Sequence, residues 1–370
     1  MTFREMNLNV FAGKPNPHVL FQPRMEPWLE WHRIFNTVPK AVEGKSIRDI
    51  YAELGMSMRY MHYYTGQPDP LEWEVSPEVK AEHSGDGENG VRITKTPYGD
   101  LVDRTKLTVD KTWRTVEFAA KNAEDLKKLA WVMERTKIHF NPAKWEQGNA
   151  YVGDLGEAQF WVPKSPFQAL AQSWMDLEDL IPTWFEEPEA VETAMAAIDA
   201  TYEPLYREII ASGKPKIINF GENLHEAVLN PRIFEAYYLP WYHKRSGQLR
   251  DAGIYTHIHV DGYWKRMLRY LKEMPFDGFE ALTPVPQGDM TLEEIKEAIG
   301  DKVLLDGIPA VLFMPYYTRE ALKECVDKVI RLFSPRLVLG ISDELPEAAG
   351  DDGLERVRWL AEYCREQKAG

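Results

Sequence analysis

Cysteine is almost missing from this chain: 370 residues carry two, Cys325 and Cys364. Two thiols in helix-like segments exclude a disulfide scaffold and a cysteine-rich metal cluster. No apolar stretch follows a basic N-terminal region, so a reducing, cytoplasmic setting is expected. Long apolar runs are missing too. Charges interrupt every hydrophobic stretch before the ~20 residues that a membrane-spanning helix needs, and no membrane partner is expected. Positive charge is in deficit, with 44 Lys and Arg against 58 Asp and Glu and a formal net charge of −14. That balance argues against nucleic acid as a partner, because phosphate binding needs a basic surface. No Gly-x-Gly-x-x-Gly or Walker-type loop follows a strand candidate, which removes support for a nucleotide site.

What is present is apolar material in a regular order. A chain that is 44% hydrophobic and 12% aromatic can bury a large core. From about residue 150, short apolar strands alternate with amphipathic helices. The strand candidates are 151–152, 158–162, 216–220, 254–260, 278–282, 303–305 and 337–341. Helices are expected over 188–212, 231–252, 292–299, 319–333 and 353–366. Strands alternating with helices imply parallel βα units. The expected fold class is therefore α/β: a single (β/α)8 TIM barrel over residues 1–370, with an N-terminal extension and a β-hairpin insertion at 91–119. A doubly wound sheet is the runner-up. The tract Ser84-Gly-Asp-Gly-Glu-Asn-Gly90 reads as an exposed loop.

In such a barrel the functional residues gather at the C-terminal ends of the strands. Tyr255-Thr-His-Ile-His-Val-Asp-Gly262 sets His257, His259 and Asp261 at alternate positions, and alternate side chains of a strand share one face. Other strand ends carry Arg24 and Glu26, Glu222 with His225, Asp306, and Asp343 with Glu344. Buried charge of this kind is costly unless paired, solvated or coordinated. His257 lies deeper than His259 and suits a satisfied interior histidine. Asp306 suits a turn cap before Gly307, and Glu344 a solvent-facing position. Trp28, Trp174 and Tyr263 are aromatic candidates for substrate contact, together with Glu26.

Leu229-Asn-Pro-Arg-Ile-Phe-Glu-Ala-Tyr-Tyr-Leu-Pro-Trp-Tyr242, followed by Ile258-His-Val-Asp-Gly262, resembles the central motif of the uroporphyrinogen decarboxylase superfamily, which includes the zinc-dependent corrinoid methyltransferases. Val162-Pro-Lys-Ser-Pro-Phe-Gln-Ala-Leu-Ala171, the 92–104 hairpin and Leu339-Gly-Ile-Ser-Asp-Glu-Leu-Pro346 add further matches, so the resemblance spans roughly residues 15–365. It implies a single TIM barrel. The decarboxylases carry an early Arg-Gln-Ala-Gly-Arg signature for substrate carboxylates, whereas Pro23-Arg-Met-Glu-Pro-Trp28 keeps only Arg24. Glu26 and Trp28 suit a polyanion poorly. A carboxy-lyase is thus the alternative, and a non-catalytic barrel that binds a cofactor or corrinoid is a further one.

The methyltransferase branch uses a His-x-Cys pair and a later Cys as zinc ligands. The resemblance aligns His259 with the histidine, and Asp261 and Asp343 with the two cysteines. It implies a zinc site formed by His259, Asp261, Asp343 and Glu222, hard enough to favour an oxygen donor. The implied activity is an O-demethylase type of methyl transfer from a small methoxylated compound to the corrinoid of a separate protein. His259, Asp261 and Arg24 are its candidate catalytic residues. The other reading of the same residues has no metal, and His259 is then a general acid or base positioned by Asp261 or Asp343. A homodimer is compatible with either.

Overall fold

A computed structural model of the chain describes residues 1–224 and 229–369. The chain divides into two compact units, one of Pro70–Asn141 with Pro163–Ser212 and one of Met1–Asp69, Pro142–Val162 and Gly213–Gly370.

The first unit is antiparallel. Strand β1 (Leu71–Val75) pairs with β6 (Thr136–Phe140), while β2 (Lys80–Gly85), β3 (Asn89–Thr96), β4 (Gly99–Leu107) and β5 (Trp113–Glu117) form a four-stranded sheet in chain order. The expected hairpin at 91–119 is therefore one part of a larger sheet. The tract expected as a loop supplies the β2–β3 turn, where the Asp86 carboxylate accepts the N–H groups of Glu88 and Asn89 at 3.0 and 2.8 Å. Strand β2 is exposed along its whole length, so it lacks the apolar alternation that would have revealed it. Helices Ala123–Met133 and Pro188–Thr201 pack together in the same unit. The single helix expected over 188–212 is two, Pro188–Thr201 and Glu203–Ser212, because Pro204 has no N–H to continue the ladder across the break.

The second unit is parallel. Strands β7 (Trp161–Val162), β8 (Ile217–Leu224), β9 (Tyr255–Val260), β10 (Gly278–Glu280), β11 (Val303–Pro309) and β12 (Leu337–Ser342) lie side by side in chain order. Every residue of β11 and β12 is buried, the expected composition of parallel strands covered on both faces. Their helices begin where the sequence supplies oxygen caps. Thr291 and Glu294 form a reciprocal capping box for Leu292–Ile299, and the Thr318 side chain accepts the Ala321 N–H to start Arg319–Phe333. The dipeptide 151–152 is not a strand; it ends the helix Pro142–Val152, which opens on a proline at its first turn. The N-terminal helix Phe3–Phe11 buries Met6, Val10 and Phe11 against Leu20, Ile217, Val303 and Val338. Among the described residues no helix is long and apolar enough to cross a membrane.

Two irregular stretches complete the parallel unit. Residues 20–22 run beside β12, with Gln22 N–H donating to the Leu339 carbonyl at 2.8 Å. Residues 57–61 run beside the approach to β7, with Met61 N–H donating to Gln159 at 3.0 Å. Gly156 marks the closest approach there: a Cβ on it would lie 1.9 Å from the Met58 carbonyl oxygen, a backbone atom that cannot turn aside. Gly156→Ala is therefore expected to lower unfolding free energy by about 1–3 kcal/mol or more. Urea denaturation checks this, and an unchanged midpoint would contradict the packing described.

Candidate active site

Glu280 closes β10 and has no exposed surface. Its carboxylate gathers Arg59 Nη1 at 2.7 Å, the Tyr60 hydroxyl at 2.6 Å, the Asn219 amide and Arg24 Nη1 at 3.3 Å. Arg59 also reaches Asp306 through Nη2 at 2.7 Å and donates from Nε to Gln22 Oε1 at 2.8 Å. Gln22 is itself fixed by donation to Asn7 and Ser57 at 3.0 and 2.8 Å. Two buried cations and two buried carboxylates thus hold one another, with neutral donors filling the remaining positions. Gly340 makes the space for this, because a Cβ there would lie 2.5 Å from Asp306 Oδ1. Asp306 adopts φ +81°, a left-handed conformation costing on the order of 1–3 kcal/mol in a non-glycine residue, which its pairing with Arg59 helps to offset.

Burial acts against each charge, and the partners decide the outcome. It pushes Glu280 up, but Arg59, His259 and Arg24 outweigh it and hold Glu280 well below the usual carboxylate range. Burial pushes Asp306 up to about 6 despite Arg59, with the neighbouring Glu280 charge adding to the rise. Burial also opposes the Arg59 charge, and Asp306 and Glu280 more than restore it.

Arg24 carries this interior network to the surface of a cavity. Besides Glu280 it pairs with Asp343 and, at 3.3 Å, with Glu344. The cavity has a volume of about 260 Å³, and Arg24, Tyr63, Trp161, Glu222, His259 and Asp343 are on its wall. His259 stands between two carboxylates, with Nδ1 3.7 Å from Glu280 and Nε2 3.8 Å from Asp343. Burial pulls its imidazole down, but Asp343 and Glu280 outweigh it, and the net shift is upward. His257 behaves differently. It is fully buried, shares a 2.7 Å hydrogen bond between Nε2 and Gln159 Oε1, and is driven by burial to about 3, so it stays neutral as expected of an interior histidine.

The residues expected from the sequence divide clearly. Arg24, Glu222, His259 and Asp343 come together on one cavity wall. Asp261 does not: it is exposed, and its Oδ1 accepts the N–H of Gly262 at 2.6 Å, because the chain leaves β9 directly after Val260. Glu26 is buried and accepts from the Met25 N–H and the Tyr51 hydroxyl, so it is a local anchor for the start of its own helix. Trp28 is fully buried and packs edge-on against His32 at 4.7 Å, which makes it core. Tyr263 is 47% exposed, and Trp174 belongs to the antiparallel unit. His225 lies outside the described residues.

The expected zinc ligands do not fit a metal in this arrangement. Among the described residues no group of three His, Cys, Asp or Glu side chains is placed to hold one. The physical reason lies with two positions: Asp261 faces its own loop, and the Arg24 cation sits directly against Asp343 where a second cation would be repelled. Glu344 and Asp306, expected in solvent and in a turn cap, are both ion-paired. Glu280, Arg59, Tyr60 and Asn219 were not singled out by sequence. A glutamate inside the apolar strand Gly278-Phe-Glu was the one available signal, whereas Arg59 and Tyr60 sit in a methionine-rich stretch with no strand periodicity.

Comparison with protein-family models and with the curated proteins returns no match. Among solved structures, a B12-independent methionine synthase from Shewanella sp. W3-18-1 in complex with selenomethionine overlaps 85% of this chain and 85% of its own, at 10% identity and a TM-score of 0.36. A putative vitamin-B12-independent methionine synthase from Listeria monocytogenes overlaps 94% and 95%, at 11% identity and a TM-score of 0.42. Overlap of this extent leaves function to be argued from the site itself.

Arg59→Met strips the cation from two buried carboxylates and is expected to cost about 3–5 kcal/mol of unfolding free energy. Adding Asp306→Leu should restore part of that loss, and a single variant as stable as the parent would contradict the network. Glu344 supplies a pH test. Burial pushes its carboxyl up to about 7 from an ordinary value of 4.5, so the folded protein holds a proton that the unfolded chain has released. Its contribution to stability is full below pH 4.5 and is lost as pH rises towards 7. Glu344→Gln should therefore flatten melting temperature against pH across that window, and superimposable slopes would refute it.

Proposed function

We propose that the parallel unit is a (β/α)8 barrel whose strand ends form an active site for methyl transfer, with His259 as general acid. Support for the barrel comes from the stretches at 20–22 and 57–61. They flank β12 and β7, and Ser57 N–H donates to the Phe21 carbonyl at 2.9 Å, which joins them to each other. The observation that carries the activity is His259: a buried imidazole with raised proton affinity, held between Glu280 and Asp343 on the wall of a small cavity.

In this scheme the donor is a small methoxylated compound. Its ether oxygen faces His259 Nε2 while Glu280, facing Nδ1, holds the ring and stabilises its charge. The methyl carbon bonds to an external nucleophile as the carbon–oxygen bond breaks, and the oxygen takes the His259 proton to leave as a neutral alcohol or phenol. The acceptor implied by the superfamily resemblance is the reduced corrinoid of a separate protein, which supplies the nucleophilic cobalt. Arg24 fixes Asp343 beside the imidazole, and Tyr63 and Trp161 provide apolar wall for the donor. No step uses a protein-bound metal. On the cavity wall Asp343 already occupies Arg24, which disfavours the polyanionic substrate of a tetrapyrrole decarboxylase.

Mixing the protein with a reduced corrinoid protein and a panel of methoxylated compounds should convert the corrinoid to its methylated form. His259→Ala should lower the rate at least about 100-fold. Because the acid form is the active one, the rate should fall as pH rises through the raised His259 value, and Glu280→Gln should move that fall to lower pH. Prior treatment with a chelator should leave the rate unchanged. No transfer with any donor, or full activity in His259→Ala, would overturn the proposal; activity lost to chelator would return the zinc site.

A further inference from the structure

We propose that the antiparallel unit carries a separate binding site for a small apolar monocarboxylate. A hollow of about 580 Å³ lies within this unit, between one face of the β2–β3–β4 sheet and the segments that bear Trp174 and Ile198. That volume falls in the range of small-molecule sites, roughly 300–1,000 Å³.

The sheet register builds the polar side. His83 on β2 is directly opposite Arg92 on β3, and Arg92 is directly opposite Asp103 on β4, so three polar side chains form one row across three strands. Arg92 Nε donates to Asp103 Oδ1 at 2.6 Å, and its guanidinium carbon stands 5.5 Å from the centre of the Trp174 ring. The guanidinium is thereby fixed in plane, yet Asp103 takes only one of its five donors. Among the described residues its terminal nitrogens have no hydrogen-bond partner, and Arg92 and His83 both line the hollow.

The rest of the wall decides what an occupant must be. Leu101, Met133 and Ile198 are almost fully buried around the hollow and call for an apolar body. The polar row calls for an oxygen acceptor at one end, and a planar carboxylate matches the paired donors of a guanidinium. Asp103 limits the charge: it answers part of the Arg92 cation, so a single negative charge is accepted while a phosphate dianion is repelled. His83 is at the exposed rim, which puts the charged end of the ligand towards solvent. None of these residues belongs to the cavity of His259 and Arg24, so the site stands or falls independently of methyl transfer.

Calorimetric titration of the full chain with 4-phenylbutyrate, and with its neutral amide as control, tests this. The acid should bind saturably and the amide at least about ten-fold more weakly. Arg92→Gln, a change at a partly exposed position, should weaken the acid to the level of the amide, and His259→Ala should leave both unchanged. Leu101→Trp should fill the hollow and abolish both, with circular dichroism confirming that the variant is folded. Equal binding of acid and amide, undiminished acid binding by Arg92→Gln, or no saturable heat for the acid up to about 5 mM would overturn the proposal.

Discussion

A buried exchange of charge between Arg59, Glu280 and Asp306 is the constraint on which the parallel unit depends. Ions without water are stable only when each finds opposite charge and hydrogen bonds at good geometry. Here the three belong to separate parts of the chain, at residues 59, 280 and 306, and their closest contacts are 2.7 Å. The network therefore ties the 57–61 stretch to β10 and β11. It also positions the irregular stretch at 20–22, since Gln22 accepts from Arg59 and donates to Asn7 and Ser57.

The same network sets the electrostatics of the cavity. Glu280 is kept ionised by cations that lie behind it, and an ionised Glu280 raises the proton affinity of His259 on its other side. Arg24 links interior to mouth by touching Glu280 as well as Asp343 and Glu344. A single glutamate thus serves both folding and electrostatics: it satisfies two arginines and raises the proton affinity of an imidazole. Two histidines separated by one residue consequently differ in character. His257, bonded to Gln159 and deeper, is neutral, while His259, facing Asp343 and the cavity, holds its proton more firmly.

The antiparallel unit is organised differently. Its sheet has little buried surface, with β2 fully exposed and Leu101 as the one fully buried residue of β4. Cross-strand pairs such as Arg92 with Asp103 and Lys95 with Asp100 give it register where a core does not. The polar row facing the hollow follows directly from that register.

Local pattern determined a good deal. Apolar runs at 216–220, 254–260, 303–305 and 337–341 announced parallel strands, because burial on both faces admits little else, and the helical spacing at 319–333 matches the helix found there. Strand ends also yielded Arg24, Glu222, His259 and Asp343, since a charge after an apolar strand needs a reason. Tertiary structure decided the rest. Whether a residue just past a strand turns inward depends on the loop it enters: Asp343 turns towards Arg24, whereas Asp261 turns back to Gly262. The partners of Glu280 come from residues 24, 59, 60 and 219, and no spacing along the chain records that they meet. Sequence periodicity reports which face of an element is apolar; only the folded chain fixes which charges share a point in space, and that determined both the departure of Asp261 from the expected ligand set and the setting of His259.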